Sequence, residues 1–220
     1  MSEHEVYPVP ADFAAQANIT AEQYEQMYQQ SVDDPATFWA EQAEKELSWI
    51  SPPENILDWS FDESDLHIEW FKGGKLNVSY NCLDRHLETR GDQTAILWEG
   101  DNTEEDKKVT YRELHTDVCK LANVLKSRGV KKGDRVSIYM PMIPEAVVAM
   151  LACTRIGAIH SIVFSAFAPH ALKDRILDSD CQTVITADQG IRGGRSIPLK
   201  ANTDKALSEC PNVHSLSLIH

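Results

Sequence analysis

Nowhere in this 220-residue chain does an apolar run approach the roughly 18 to 20 residues needed to cross a bilayer. The N-terminus, MSEHEVYPVP, is acidic where a signal peptide is basic and then apolar. These two absences predict a soluble, cytoplasmic protein with no membrane partner. Paired cysteines are also lacking: Cys82, Cys119, Cys153, Cys181 and Cys210 are widely spaced, with no CxxC and no His pair at zinc-ligand spacing. They are expected to be reduced, and most of them to lie in the core. A basic excess is missing too, since the net charge is −13, and this excludes a nucleic-acid surface built from clustered Lys and Arg. Neither GxGxxG nor GxxxxGK[ST] occurs, so a Rossmann dinucleotide site and a P-loop are unsupported.

What charge there is falls unevenly. Residues 1–70 hold one basic residue, Lys45, against sixteen Asp and Glu; taking their net of −15 from −13 leaves the other 150 residues at +2. This first part is expected to be helical or irregular, with residues 20–30 a short helix and residues 34–49 a second. Asp34 can cap the second helix, Pro35 suits its first position, and Phe38, Trp39, Gln42, Ala43 and Leu47 recur near helical period. Ser51-Pro52-Pro53 is expected to end it. Trp39, Trp49, Trp59 and Trp70, with Phe38, Phe61 and Phe71, are many large side chains for a segment with little core of its own, and they are expected to dock on a neighbouring domain.

From residue 109 the pattern is regular. Thr110 and Glu113 form a capping box, Leu114, Val118, Leu121 and Leu125 follow at helical spacing, and Gly129 stands where a left-handed C′ residue is wanted. RVSIYM (135–140) reads as a buried strand, and 145–156 as a helix closed by Gly157. Then come a strand at 158–164, a helix opened by Pro169, a strand at 183–187, a helix over 198–209 and a strand at 213–219. Short apolar strands alternating with helices are what right-handed crossovers over a parallel sheet require. The fold class is therefore α/β: an acidic, Trp-rich segment (1–108) leading into a doubly wound, mostly parallel sheet (109–220). That sheet reads as truncated mid-domain, because its last strand has no covering helix and leaves an edge open to self-association.

Ligands of open α/β sheets lie beyond the carboxyl ends of the strands, in the loops after Met140, Phe164 and Ala187. The third loop places Arg192 and Arg195 on either side of Gly193-Gly194, just before a helix start. Glycines admit an anion close to backbone, Arg supplies forked donors, and a helix N-terminus adds unpaired amides, so the loop suits a phosphate. The first loop, apolar and proline-rich, is expected to pack. The second, Phe164-Ser165-Ala166-Phe167-Ala168-Pro169, sets small residues between two aromatics and could line a narrow channel. Ser165 has no GxSxG elbow and is not a nucleophile. His160 is expected to be a satisfied core histidine and His86 a structural one. No metal cluster, carboxylate pair or triad can be assembled.

Four strings carry a resemblance. They are WFKGGKLNVSYNCLDRHLETRGDQTAILWEGD (70–101), VTYRELHTDV (109–118), GVKKGDRVSIYMPMIPEAVVAMLACTRIGAIHSIVF (129–164) and RGGRSIPLK (192–200). Together they resemble the N-terminal part of the AMP-forming acetyl-coenzyme A synthetases, in the adenylate-forming superfamily. The resemblance implies a two-step ligase: acetate attacks ATP to give acetyl-adenylate and pyrophosphate, and the coenzyme A thiol then displaces AMP. ATP and coenzyme A are its substrates and Mg2+ assists the first step.

The resemblance also implies that Arg192, Gly193, Gly194 and Arg195 meet the 3′-phosphate end of coenzyme A. Ser165-Ala166 stands where many members have Gly-Gly, which makes Ala166 a candidate for the pantetheine channel. The phosphate loop, adenine contacts, acetate pocket, magnesium ligands and catalytic lysine of such enzymes lie further along than residue 220. Alternatives are a propionate or other short-chain synthetase, decided by pocket residues outside this chain, and a stand-alone binding or scaffolding module. The 220-residue chain alone is expected to be inactive, so acetate-dependent ATP–pyrophosphate exchange by the purified chain should be absent; robust exchange would contradict the reading.

Overall fold

The computed structural model describes residues 7–219, and the chain divides into two compact units, one ending at Lys75 and the other starting at Leu76. In the first unit, α1 (Ala11–Ala15) precedes α2 (Ala21–Asp33), α3 (Pro35–Glu46), β1 (Asn55–Ser60) and β2 (His67–Lys72). Thr20 and Gln23 close a capping box on α2. Asp34 accepts the Thr37 amide at the start of α3, with Pro35 at its first position, as the sequence predicts.

The second helix ends earlier than expected, at Glu46, before the Pro-Pro pair is reached. Leu47 turns extended, and Trp49 folds back to donate its indole N–H to the Ala43 carbonyl at 3.2 Å. The aromatics meet each other rather than standing alone: Trp39 packs edge-on to Phe38 and Trp70, and Phe71 lies against both Trp49 and Trp70. The antiparallel β1–β2 hairpin, absent from the sequence reading, carries Trp59 and Trp70.

The second unit begins with α4 (Val78–Cys82), a single 3-10 turn at Asp84–His86, α5 (Leu87–Arg90), and the antiparallel strands β3 (Thr94–Glu99) and β4 (Asp106–Thr110). Leu83 is buried in the same core as Leu114, Val118 and Leu125, so residues 76–108, grouped with the acidic segment in the sequence reading, are packed with the α/β layer. Then follow α6 (Tyr111–Ser127), β5 (Arg135–Met140), α7 (Pro144–Ile156), β6 (Ile159–Phe164), α8 (Pro169–Asp178), β7 (Thr183–Ala187), β8 (Gly190–Arg192), β9 (Arg195–Ile197), α9 (Leu199–Leu207) and β10 (Ser215–Ile219).

The Thr110–Glu113 box starts α6. Its end is a Schellman turn: Gly129 has φ +90°, and the Val130 amide reaches back to the Leu125 carbonyl. The four long-range strands are all parallel, in the order β10-β7-β5-β6. Val136, Ile138 and Met140 face one core with Leu114, Val118 and Ala149 from α6 and α7. Tyr139, Val163 and Val184 face another with Leu172 and Ile176 of α8 and Leu199 and Ala206 of α9. Helices therefore cover both faces, and the expectation of a doubly wound parallel sheet holds.

Burial explains the composition. The central strands β5 and β7 are covered on both sides and are buried almost throughout, whereas β6, at an edge, is buried only at Val163. His160 lies in that edge strand, half-buried, with Nδ1 shielded and no hydrogen-bond partner among the described residues. It is not the satisfied core histidine expected, and desolvation lowers its pKa. All five cysteines are free; Cys153, Cys181 and Cys210 are buried, with Cys153 pushed up to about 12 by burial, while Cys82 is exposed and Cys119 half-buried.

Side chains close to α7 fasten α4 and the 3-10 turn to the unit. Asn77 accepts the Tyr80 amide, capping α4, and donates to the Thr154 and Arg155 carbonyls at the end of α7. Arg155 then makes a two-pronged pair with Asp84 at 2.7 and 2.8 Å, and His115 lies 3.2 Å from the same carboxylate. Arg155→Met leaves a largely buried carboxylate without its main partner. The expected loss is about 2 to 4 kcal/mol, read from the urea midpoint; a loss under about 0.5 kcal/mol would show the pair to be dispensable.

Candidate functional site

Strand order locates the crevice. The chain leaves β5 toward β6 and leaves β7 toward β10, so the connections diverge from the carboxyl ends of the two adjacent central strands. Such a switch point is where open α/β sheets hold ligands. The loop after β7 closes onto it: a Cβ placed on Gly190 would stand 3.2 Å from Pro141 Cβ, so a side chain here would push on the loop after β5. A groove of about 540 Å³ lined by Cys119, Lys126, Lys131, Lys132 and Arg155 lies elsewhere, because Lys131 and Lys132 precede β5, which puts it at the amino ends of the strands.

The loop after β7, unstructured in the sequence reading, is a hairpin. Strands β8 and β9 pair antiparallel, with Arg192 directly opposite Arg195 and Gly193-Gly194 as a two-residue turn. Both glycines have positive φ, +57° and +70°, the signature of a type I′ turn, and a Cβ on either would meet nothing within 4 Å. Backbone conformation, not crowding, therefore demands glycine here. The turn puts two guanidinium groups on neighbouring positions of one short ribbon, where like charges repel unless an anion joins them. Neither arginine has an ion pair among the described residues. The Arg192 guanidinium instead lies over the Phe164 ring, 5.3 Å from its centroid, leaving its N–H edge free.

The two glycine amides are not free. Gly193 N–H donates to Asp101 Oδ1 at 2.6 Å and Gly194 N–H to Asp101 Oδ2 at 2.7 Å. The helix start contributes little as well, because β9 separates α9 from the turn and the Lys200 amide is used by the Asp188 carbonyl. What the hairpin offers a phosphate is the pair of arginines, not the backbone nest.

Phe164 leads into the turn that carries Ala166. The Phe167 amide bonds to the Phe164 carbonyl at 2.9 Å, and the two rings meet edge to face at 5.7 Å. Beneath them the Tyr139 hydroxyl, rising from β5, lies 3.0 Å from the Ser165 carbonyl and 2.7 Å from that of Phe167, and receives the Asn202 amide at 3.3 Å. Ala166 is thus an exposed residue whose flanking carbonyls are tied down. Through Phe164 the structure brings this turn to Arg192. Asp101, Tyr139 and Asn202 carry no site expectation from the sequence, and Phe164, expected beside the channel, also supports Arg192. Only Tyr139, a polar tip in a strand that reads as buried, left a signal, since a buried hydroxyl needs a partner.

Among the described residues no group of three or more His, Cys, Asp or Glu side chains converges as metal ligands. No helix there is long and apolar enough to cross a membrane.

A family model described as AMP-binding enzyme matches residues 83–218, the greater part of the chain. The chain belongs to this family of AMP-binding enzymes. A second model, the acetyl-coenzyme A synthetase N-terminus, matches residues 24–82. The chain is 63% identical to the acetyl-coenzyme A synthetase of Magnetococcus marinus and 60% identical to that of Halorhodospira halophila, over 100% of its own length and 34% of theirs. It therefore spans about a third of these relatives. Among solved structures it resembles the acetoacetyl-CoA synthetase from Streptomyces lividans, with a TM-score of 0.79 and 29% identity, over 94% of this chain and 32% of that one. The AMP-binding family's model thus covers the hairpin, the Ala166 turn and the switch point together.

Accepting two amides favours the charged form of Asp101, and the bonds from Gly194 and then Gly193 hold its carboxyl below the usual 3.8. Because the folded value lies under the unfolded one, the clamp is fully formed above about pH 3.8 and is lost as pH falls through the folded value. By NMR the Asp101 carboxyl carbon should titrate with a midpoint below 3.8, and the Gly193 and Gly194 amide shifts should move with it. A midpoint at or above 3.8 would show that the bonds do not form in solution.

Proposed function

We propose that this chain is the N-terminal part of an acetate–CoA ligase that makes acetyl-CoA, AMP and pyrophosphate from acetate, ATP and coenzyme A through acetyl-adenylate. In this reading the β8–β9 hairpin holds the adenosine 3′-phosphate end of coenzyme A. Identity of 63% to a protein named acetyl-coenzyme A synthetase supports the choice of acid. The observation that carries the site assignment is the pair of arginines, opposed across a two-glycine turn at the sheet's carboxyl edge and without carboxylate partners among the described residues.

Arg192, stacked on Phe164, and Arg195 each present a guanidinium edge to one phosphate, and their mutual repulsion is relieved when it binds. Ala166, on the turn held by Tyr139, lines the path of the pantetheine arm toward the switch point. Work on acetate and ATP belongs to residues outside this chain, and the reaction is proposed to run in the cytoplasm.

In the complete ligase, Arg192→Ala should weaken coenzyme A by about 1 to 2 kcal/mol and dephospho-coenzyme A much less, because one charge-assisted contact to the 3′-phosphate is removed. The measurement is KM for both forms of the coenzyme. Equal losses would mean that Arg192 does not read that phosphate.

A further inference from the structure

A hairpin of two three-residue strands, with two arginines opposed and two glycines at its tip, does not define its own shape. Two-stranded ribbons are marginal alone, glycine gives up much backbone freedom on ordering, and the facing charges push the strands apart. The charged group that hydrogen-bonds its tip comes from a residue more than ninety positions earlier. Asp101 opens the loop between β3 and β4 and is itself held. Gly100 N–H donates to the Glu105 carbonyl at 2.7 Å, closing that loop. Trp98, two residues before Gly100, donates its indole N–H to the Met142 carbonyl at 2.7 Å, pinning β3 to the loop after β5. The β3–β4 hairpin thus spans from one carboxyl-end loop of the sheet to the next, touching the first through Trp98 and the second through Asp101.

We propose that Asp101 is a positioning residue for coenzyme A, its carboxylate bridging the Gly193 and Gly194 amides so that Arg192 and Arg195 are presented together to the 3′-phosphate. This rests on the coenzyme reading of the hairpin. Asp101 touches no substrate; it fixes the turn, and its negative charge offsets part of the repulsion that the arginines feel before the coenzyme arrives. A carboxylate suits both tasks because its two oxygens match two successive amides, as the distances of 2.6 and 2.7 Å show.

In the complete ligase, Asp101→Ala should raise KM for coenzyme A by about fivefold to twentyfold and raise KM for dephospho-coenzyme A less than twofold, since the turn acts on the phosphate end alone. Asp101→Asn, which keeps one acceptor oxygen and the side-chain volume, should give an intermediate rise. It also serves if the alanine variant melts early by circular dichroism. In an Arg192→Ala/Arg195→Ala background, Asp101→Ala should add less than twofold, because its effect runs through the arginines. A lower KM for coenzyme A in Asp101→Ala would overturn the proposal, showing that the carboxylate competes with the phosphate. So would an equal rise for both coenzyme forms. If the arginine variants change KM for coenzyme A while both Asp101 variants leave it unchanged, the clamp alone is wrong. If the arginine variants also leave it unchanged, the coenzyme reading itself falls.

Discussion

Two strands buried on both faces, β5 and β7, set nearly everything else in the second unit. Their backbones have no access to water, so every peptide group must be paired along the sheet, and their side chains must be apolar, small or internally bonded. Thr186 meets this demand by donating to the Tyr139 carbonyl at 2.9 Å, and Ser137 by being small, its buried hydroxyl having no partner among the described residues. With the two strands fixed side by side, helices must cross on opposite faces, and the loops leaving their carboxyl ends must diverge. The crevice is a by-product of that divergence.

The site is assembled on this edge from pieces that share no sequence neighbourhood. Tyr139 rises from the central strand to tie down the turn around Ala166. Phe164, at the end of the edge strand, supports Arg192. The β3–β4 hairpin, which takes no part in the parallel sheet, reaches across to hold the glycine turn. Each contact restrains a short, exposed loop that could not order itself. Rigidity at this edge is borrowed from the doubly covered strands beneath.

Where a structural feature depends on local rules, it could be read from residues. The Thr110–Glu113 box, the glycine after α6, Pro35 at the start of α3 and the apolar runs of β5 and β7 all act within a few positions, and each was found where the pattern put it. The misses share a cause as well. Nothing local in the first unit announces the β1–β2 hairpin, whose strands carry charged and aromatic residues without clean alternation. The hairpin in the third loop was concealed because its strands are only three residues long and its turn residues resemble any flexible basic loop.

By itself the sequence determined the alternation of strands and helices, the parallel sheet that follows from it, and the placing of two arginines around two glycines in a loop after a strand. Those depend on side-chain period, crossover handedness and donor chemistry, all of which act along the chain. Only the tertiary structure decided which groups at that turn are free to meet an anion. Asp101 lies more than ninety residues from the glycines it binds, and a hydrogen bond over that separation exists only once β3, β5 and β7 have been folded to one edge. The amides that looked available are taken by Asp101, and the two guanidinium groups have no ion pair among the described residues.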